Sequence, residues 1–339
     1  MKHMKKILAV ALVVTLAMGL AVTAAATENE TEADETDAPL ATPAQANVYV
    51  CGTVEVQEDG RLLVTNPNPE AGYSPIILGA RETTRILDAV SLEAVALSDI
   101  EDGDWIYAWA DPVMALSYPA QAGVQLILVN TPQDYAVPMY HQIVTAQLSE
   151  DGSALTILTD KNETFVIGSD CTLSPYLTRN IITLESLVPG TDILVWQAPG
   201  EDGGESTVTR VVSFGSSYNG YMSVDTGAGT VSVNGETVDL AGGQVMEIDG
   251  DGVQALLVPF RALCEAMGYT VEWDGDSRTA TALSVGGAAL SVTLGAYEAE
   301  NAGEACYLTF EPVIRDGRTM VAAQDIARLL GLYYVPQGV

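Results

Sequence analysis

Leu257-Val258-Pro259-Phe260-Arg261-Ala262-Leu263-Cys264-Glu265-Ala266-Met267-Gly268-Tyr269-Thr270-Val271-Glu272-Trp273-Asp274 changes its period twice. The apolar pair Leu257-Val258 runs into Pro259, whose fixed φ suits a helix start. Phe260, Leu263, Cys264 and Met267 then fall at i, i+3, i+4 and i+7, one apolar face. Arg261 and Glu265 share the opposite face at i, i+4. Gly268 supplies the left-handed residue that ends a helix. Tyr269 to Asp274 alternates as a strand, an Asp-Gly-Asp-Ser turn follows, and Arg278 to Val285 forms the next strand. The stretch therefore predicts strand–helix–strand.

The element recurs. Met320-Val321-Ala322-Ala323-Gln324-Asp325-Ile326-Ala327-Arg328-Leu329-Leu330-Gly331-Leu332 repeats the order of Leu257 to Tyr269, with Ile326, Leu329 and Leu330 as the apolar face and Gly331 as the cap. Thr230 to Val238 reads as a hairpin, because Asn234-Gly235 suits a type I′ turn. Residues 218–339 are thus expected to form a C-terminal α+β domain, an antiparallel sheet packed on short helices.

Upstream the chain is mainly β. Val48–Val56, Leu62–Thr65, Ile76–Leu78, Trp105–Ala110 and Val124–Val129 are short apolar runs between Gly, Pro, Asn and Asp. Ile100 to Trp109 aligns with Leu187 to Trp196, and Asp59 to Thr65 resembles Asp151 to Ile157, in the same order. Two small β-barrel-like or sandwich-like repeats follow, 48–138 and 139–217. The shared acidic loop, Gly and apolar strand is a turn signal, not a catalytic one.

The N-terminus reads as an export signal over 1–26: Lys2, Lys5 and Lys6, an apolar run from Ile7 to Val22, and Ala24-Ala25-Ala26 before the cleavage point. Residues 27–47 hold six acids, no base and two prolines, so a flexible acidic linker is expected. The whole chain carries 14 basic against 45 acidic residues, a net charge of -31, and loss of the signal leaves Lys161 as the single lysine. Nucleic acid is excluded as a partner, since phosphate neutralisation needs basic patches. No membrane span is expected once the signal is removed, and the mature chain is expected to be secreted, with wall association possible.

The motif string Leu257-Val258-Pro259-Phe260-Arg261-Ala262-Leu263, Met267 to Asp274 and Arg278-Thr279-Ala280-Thr281 resembles the copper amine oxidase N-terminal-like domain, a stalk-type module of secreted proteins of Gram-positive bacteria. The resemblance covers mainly residues 218–339. It implies an α+β fold without catalysis, because in the parent enzymes the metal and quinone sit in a different domain. Val321-Ala322-Ala323-Gln324 departs from the family pattern in lacking its Pro and Arg.

Catalytic sets are scarce. After the signal one histidine remains, His141, so no site of two or three imidazoles can form within one chain. His141 reads as a polar filler between repeats. Cys51, Cys171, Cys264 and Cys306 show no C-x-x-C spacing. Export permits disulfides, with Cys51–Cys171 and Cys264–Cys306 as the pairs within regions. The reading favours Cys264 as a small apolar residue of the helix core. No cofactor and no catalytic residue are expected. Asp249 and Asp251 in Asp-Gly-Asp-Gly are weak calcium candidates lacking the spaced Glu of an EF-hand, as is Asp274-Gly275-Asp276; Asp-Gly is also plain turn chemistry.

Trp105, Tyr107 and Trp109 alternate on one strand face, and the second repeat carries Asp192, Leu194 and Trp196 there. A position that accepts Trp or Asp reads as surface, so the three aromatics are candidates for stacking on sugar or peptide; the other reading is a Trp covering a barrel mouth. The expected function is a non-catalytic, exported interaction or scaffold protein of the cell envelope, with a cell-wall polymer or envelope protein as partner. The alternative is an exported hydrolase using carboxylates of the β-repeats.

Overall fold

A computed structural model describes residues 47–336 except 69, 116, 133–135, 178–180, 200–205 and 251–252. The signal peptide, nearly all of the acidic linker and Asp251 lie outside the described residues. The first sheet comprises β1 (Val48–Val56), β2 (Leu62–Thr65), β3 (Ile76–Gly79), β4 (Arg85–Asp88), β5 (Trp105–Ala115) and β6 (Ala120–Val129). Its order is β3-β2-β1-β5-β6-β4, and β3 also pairs with β6 in parallel, from Ile76↔Ala120 to Gly79↔Gly123. That pairing closes β1, β2, β3, β6 and β5 into a ring, which removes sheet edges. Inward residues of alternating strands, among them Val54, Leu62, Ile76, Leu78, Ile106 and Ile127, fill it.

The second sheet comprises β7 (Met139–Leu148), β8 (Ala154–Thr159), β9 (Thr164–Gly168), β10 (Thr172–Pro175), β11 (Thr191–Ala198) and β12 (Thr207–Ser216). Its order, β9-β8-β7-β11-β12-β10, reproduces the first strand for strand, including a parallel pair, β10 on β12, where the first has β4 on β6. The sequence repeat is therefore a repeat of topology. Ile143, Ile157, Phe165, Ile167 and Ile193 fill the second core.

Beyond lie β13 (Gly220–Asp225), β14 (Thr230–Val233), β15 (Glu236–Thr237), β16 (Met246–Gly250), β17 (Val253–Pro259), α1 (Phe260–Ala266), β18 (Thr270–Asp274), β19 (Thr279–Leu283), β20 (Ala289–Thr293), β21 (Glu298–Asn301), β22 (Glu304–Tyr307), β23 (Val313–Arg315), β24 (Arg318–Ala322), α2 (Ala323–Leu329) and β25 (Leu332–Tyr334). The two copies of the motif meet: β17 pairs antiparallel with β24, Val258 opposite Val321. Each strand runs directly into its helix. Gly268 and Gly331 end the helices at φ +82 and +69. The α1 face read from sequence is buried through Phe260, Leu263 and Cys264, against Ile326 and Leu329 of α2 and the sheets. The expected single sheet is instead three: β15-β14-β13-β25, β16-β17-β24-β23 and the meander β18 to β22. Strand β25 joins β13 in parallel, Gly220 opposite Leu332, which ties the two ends of this segment together.

Asp325 of α2 is 1% exposed. Its Oδ2 accepts hydrogens from Thr309 N and Oγ1, both at 2.8 Å, and from Phe310 N at 3.3 Å, while Arg328 donates to Oδ1 at 3.2 Å. A buried carboxylate so supplied is tolerated, and it fixes the turn before β23.

Gly190, in the turn entering β11, has φ +83, and a Cβ there would stand 2.9 Å from Cβ of Tyr333 and 3.0 Å from the Tyr218 ring. Gly190→Ala is therefore expected to destabilise the chain by about 1–3 kcal/mol through strain alone, with steric conflict added. Thermal unfolding checks this; an unchanged midpoint would contradict the left-handed conformation of this turn.

Candidate functional site

The structure confirms the alternation of Trp105, Tyr107 and Trp109 but not the exposure expected of all three. Ile106, Ala108 and Ala110 point into the first barrel and the three aromatics point out. Trp105 is 36% exposed and Tyr107 half-buried, whereas Trp109 is only 1% exposed. Trp109 is thus corrected from candidate binding residue to core residue. It is covered by the matching outer face of the second sheet: Leu87, Leu126 and Leu128 of the first sheet and Tyr140, Leu194 and Val212 of the second join it in one buried cluster. The aromatic stripe is mainly a seam between repeats.

Rings run through this seam. Tyr49 lies 5.7 Å from Trp109, Trp109 6.0 Å from Tyr140, Tyr140 5.8 Å from Phe214 and Phe214 5.1 Å from Tyr176, all tilted or edge-on, the arrangement ring quadrupoles favour. Arg85 on β4 closes it. One Nη donates to Tyr140 Oη at 2.8 Å and to Asp192 Oδ2 at 3.0 Å, and the guanidinium sits 4.7 Å above the Phe214 ring. Asp192 therefore marks an ion pair across the seam, not a solvent-facing position. Burial raises the Tyr140 hydroxyl above its ordinary range, so it stays protonated.

His141 is a residue of β7 opposite Ile193, 1% exposed, with its ring 5.3 Å from Phe165. Its Nδ1 lies 3.5 Å from Asp160 and its Nε2 3.4 Å from Glu163, both in the β8–β9 turn, and neither nitrogen makes a well-formed hydrogen bond. It packs under that turn. Among the described residues no group of three or more His, Cys, Asp or Glu is placed to hold a metal. Asp249 is the next-to-last residue of β16, opposite Gln254. Asp274 accepts from Asp276 N at 2.9 Å and Ser277 Oγ at 2.9 Å, so it organises its own turn.

Three carboxylates of the repeats are held in their charged form. Asp59 is held low by the Arg61 amide and side chain, Asp88 by the Ser91 amide and Asn130, and Asp151 falls to about 2 under Ser149 and Ser153. A glycosidase acid needs the opposite shift.

A cleft of about 490 Å³ opens in the C-terminal segment. Phe260, Ala262, Val271 and Ala280 line it with apolar surface, Trp273 and Ile314 stand at 42% and 44% exposure, and Arg261 and Arg318 reach it. Arg261 donates to the Val271 carbonyl at 2.5 Å and to Glu265 at 3.3 Å. Arg318 donates to the carbonyls of Ala241 at 2.6 Å and Asp316 at 3.2 Å. Arg261 and Trp273 are motif residues in the sequence, but nothing local shows that they face one space; Ile314 and Arg318 come from a distant hairpin and carry no local signal.

Residues 232–334 match the family model for the copper amine oxidase N-terminal domain, and the resemblance is confined to this segment. That domain is a non-catalytic, stalk-type module. No curated protein matches the chain. Among the described residues no helix is long and apolar enough to cross a membrane.

Two outcomes follow for this region. Trp109→Ala should cost about 3–5 kcal/mol by opening the seam, while Trp105→Ala should change stability by less than about 0.5 kcal/mol. Denaturant titration separates them, and equal costs would contradict the seam. All four cysteines are free thiols. Burial pushes Cys264 up to about 12, so native protein at pH 8 should leave Cys264 unalkylated until it is unfolded. Mass spectrometry of labelled peptides reads this; native labelling of Cys264 would refute its burial.

Proposed function

We infer that this is an exported, non-catalytic interaction or scaffold protein of the cell envelope, built as two β-repeats, 48–138 and 139–217, and a stalk-type segment, 218–339. The match of residues 232–334 to a non-catalytic stalk-type domain carries the reading. Three further features support it. The N-terminal sequence has the form of an export signal followed by an acidic linker. The repeats spend their aromatic faces on each other, which makes a fixed platform of them. Tyr49 and Trp105, 42% and 36% exposed beside Tyr107, leave an aromatic patch at the edge of the seam that suits contact with a wall polymer.

Such contact must overcome the repulsion between anionic polymers and a mature chain of 11 basic against 45 acidic residues, a charge of -34, which acts over roughly 8–10 Å at physiological salt. Aromatic contact is little screened, whereas a divalent-cation bridge is lost with chelator. Expression with the native leader should therefore give a chain cleaved after Ala26 outside the cell, and that chain should sediment with isolated wall material in the presence of chelator. Retention of the leader, or a protein that stays in the supernatant with and without chelator, would overturn the proposal.

A further inference from the structure

The cleft beside α1 has features that a gap between packed elements does not need. We propose that it is a binding site for an acidic sugar, a pyranose unit bearing a carboxylate.

Its volume, about 490 Å³, lies in the range of small-ligand sites, about 300–1,000 Å³. Trp273 sits on β18 with its side chain on the same face as Val271, since the two are separated by one residue of a strand. Its exposed indole offers a flat π face at the rim, and the apolar lining behind it is small, so a ring can lie against the tryptophan.

The site is far less acidic than the molecule: Arg261 and Arg318 face Asp239 and Glu265 in its lining, against 14 basic and 45 acidic residues in the whole chain. Arg318 has no carboxylate within 4 Å among the described residues, and the contacts it makes are to backbone carbonyls through Nη1 and Nη2. Its Nε and the second hydrogens of both Nη atoms remain for a ligand, as do Nε and Nη2 of Arg261. A planar guanidinium fork fits a carboxylate in two-point geometry. The acids of the lining are already engaged: Asp239 accepts from Ala241 N at 2.9 Å, and Glu265 accepts from Arg261.

The same contacts disfavour an extended peptide. Strand β18 is a sheet edge, and an added strand would need its outward carbonyls. Arg261 occupies the Val271 carbonyl. A compact ligand that uses the sheet face and the guanidinium groups fits; a strand alongside β18 does not.

The test uses the mature chain labelled with ¹⁵N, whose four tryptophans give four indole signals. The Trp273 signal is the one lost in Trp273→Phe. Glucuronate should move that signal saturably and leave those of Trp105, Trp109 and Trp196 in place. Glucose should bind roughly tenfold more weakly, the loss expected for a hydrogen bond to a charged group. Arg318→Gln should reduce glucuronate binding to the level of glucose, and Arg318→Lys should restore part of it. If Arg318→Gln fails to fold, the ratio of glucuronate to glucose on the wild-type chain decides. No movement of the Trp273 signal, equal affinity for glucose and glucuronate, or tighter binding of glucose 6-phosphate or of a short Glu-rich peptide would each overturn the proposal. The outcome is independent of export and of wall sedimentation, so the two readings fail separately.

Discussion

The arrangement of the two β-repeats depends on one contact, the packing of the outer face of β5 against the matching face of β11 and β12. Each barrel has its own core of aliphatic side chains, but Trp109, Leu126, Leu128, Tyr140, Leu194 and Val212 belong to neither. They are exterior in each repeat taken alone and interior only when both are present. Burying large aromatic and aliphatic side chains stabilises by about 1.5–3 kcal/mol each, so the seam outweighs the rim of polar contacts around it. Arg85 gives the seam its register. A cation set between Asp192, the Tyr140 hydroxyl and the Phe214 face is well supplied there, and a shifted interface would strand it without a counter-charge.

Sequence periodicity made much of this visible. The i, i+3, i+4, i+7 spacing of Phe260, Leu263, Cys264 and Met267 located α1, the Gly residues located both caps, and Asn234-Gly235 located the β14–β15 turn. These signals are local, and local physics decides them. The repeat of Ile100–Trp109 in Leu187–Trp196 was readable too, and it corresponds to two sheets of one strand order. Pairings between distant segments were not readable. Nothing near Leu332 announces that it lies beside Gly220, and nothing near Arg85 announces Asp192.

The misreading of Trp109 has a definite cause. Alternation tells which residues share a face; it does not tell what covers that face. Asp192 at the position of Trp105 reads as a mark of solvent, because a lone buried carboxylate is costly. In the structure the cost is met by Arg85, a residue of the other repeat. A polar residue at an aligned position thus separates core from non-core only when its partners are known, and partners across a seam are what a single repeat cannot supply. The disulfide alternatives stayed open for a similar reason: spacing does not fix geometry, and all four thiols are free.

The C-terminal segment carries an internal repeat whose two copies use their helices differently. Its two motif copies pair through β17 and β24 as near-equivalents, Val258 opposite Val321, and each leads into a seven-residue helix. At the position of Ala262 the second copy carries Asp325, and at the position of Arg261 it carries Gln324. Asp325 grips the amides of Thr309 and Phe310, so the turn before β23 is held against α2. Ala262 has no polar group to hold a turn, and it lines the cleft beside α1 together with Arg261 and Trp273. The two copies thus differ in what the residues after the strand do: Asp325 of the second holds a turn as a buried carboxylate, and Arg261 of the first puts a guanidinium at the edge of the cleft.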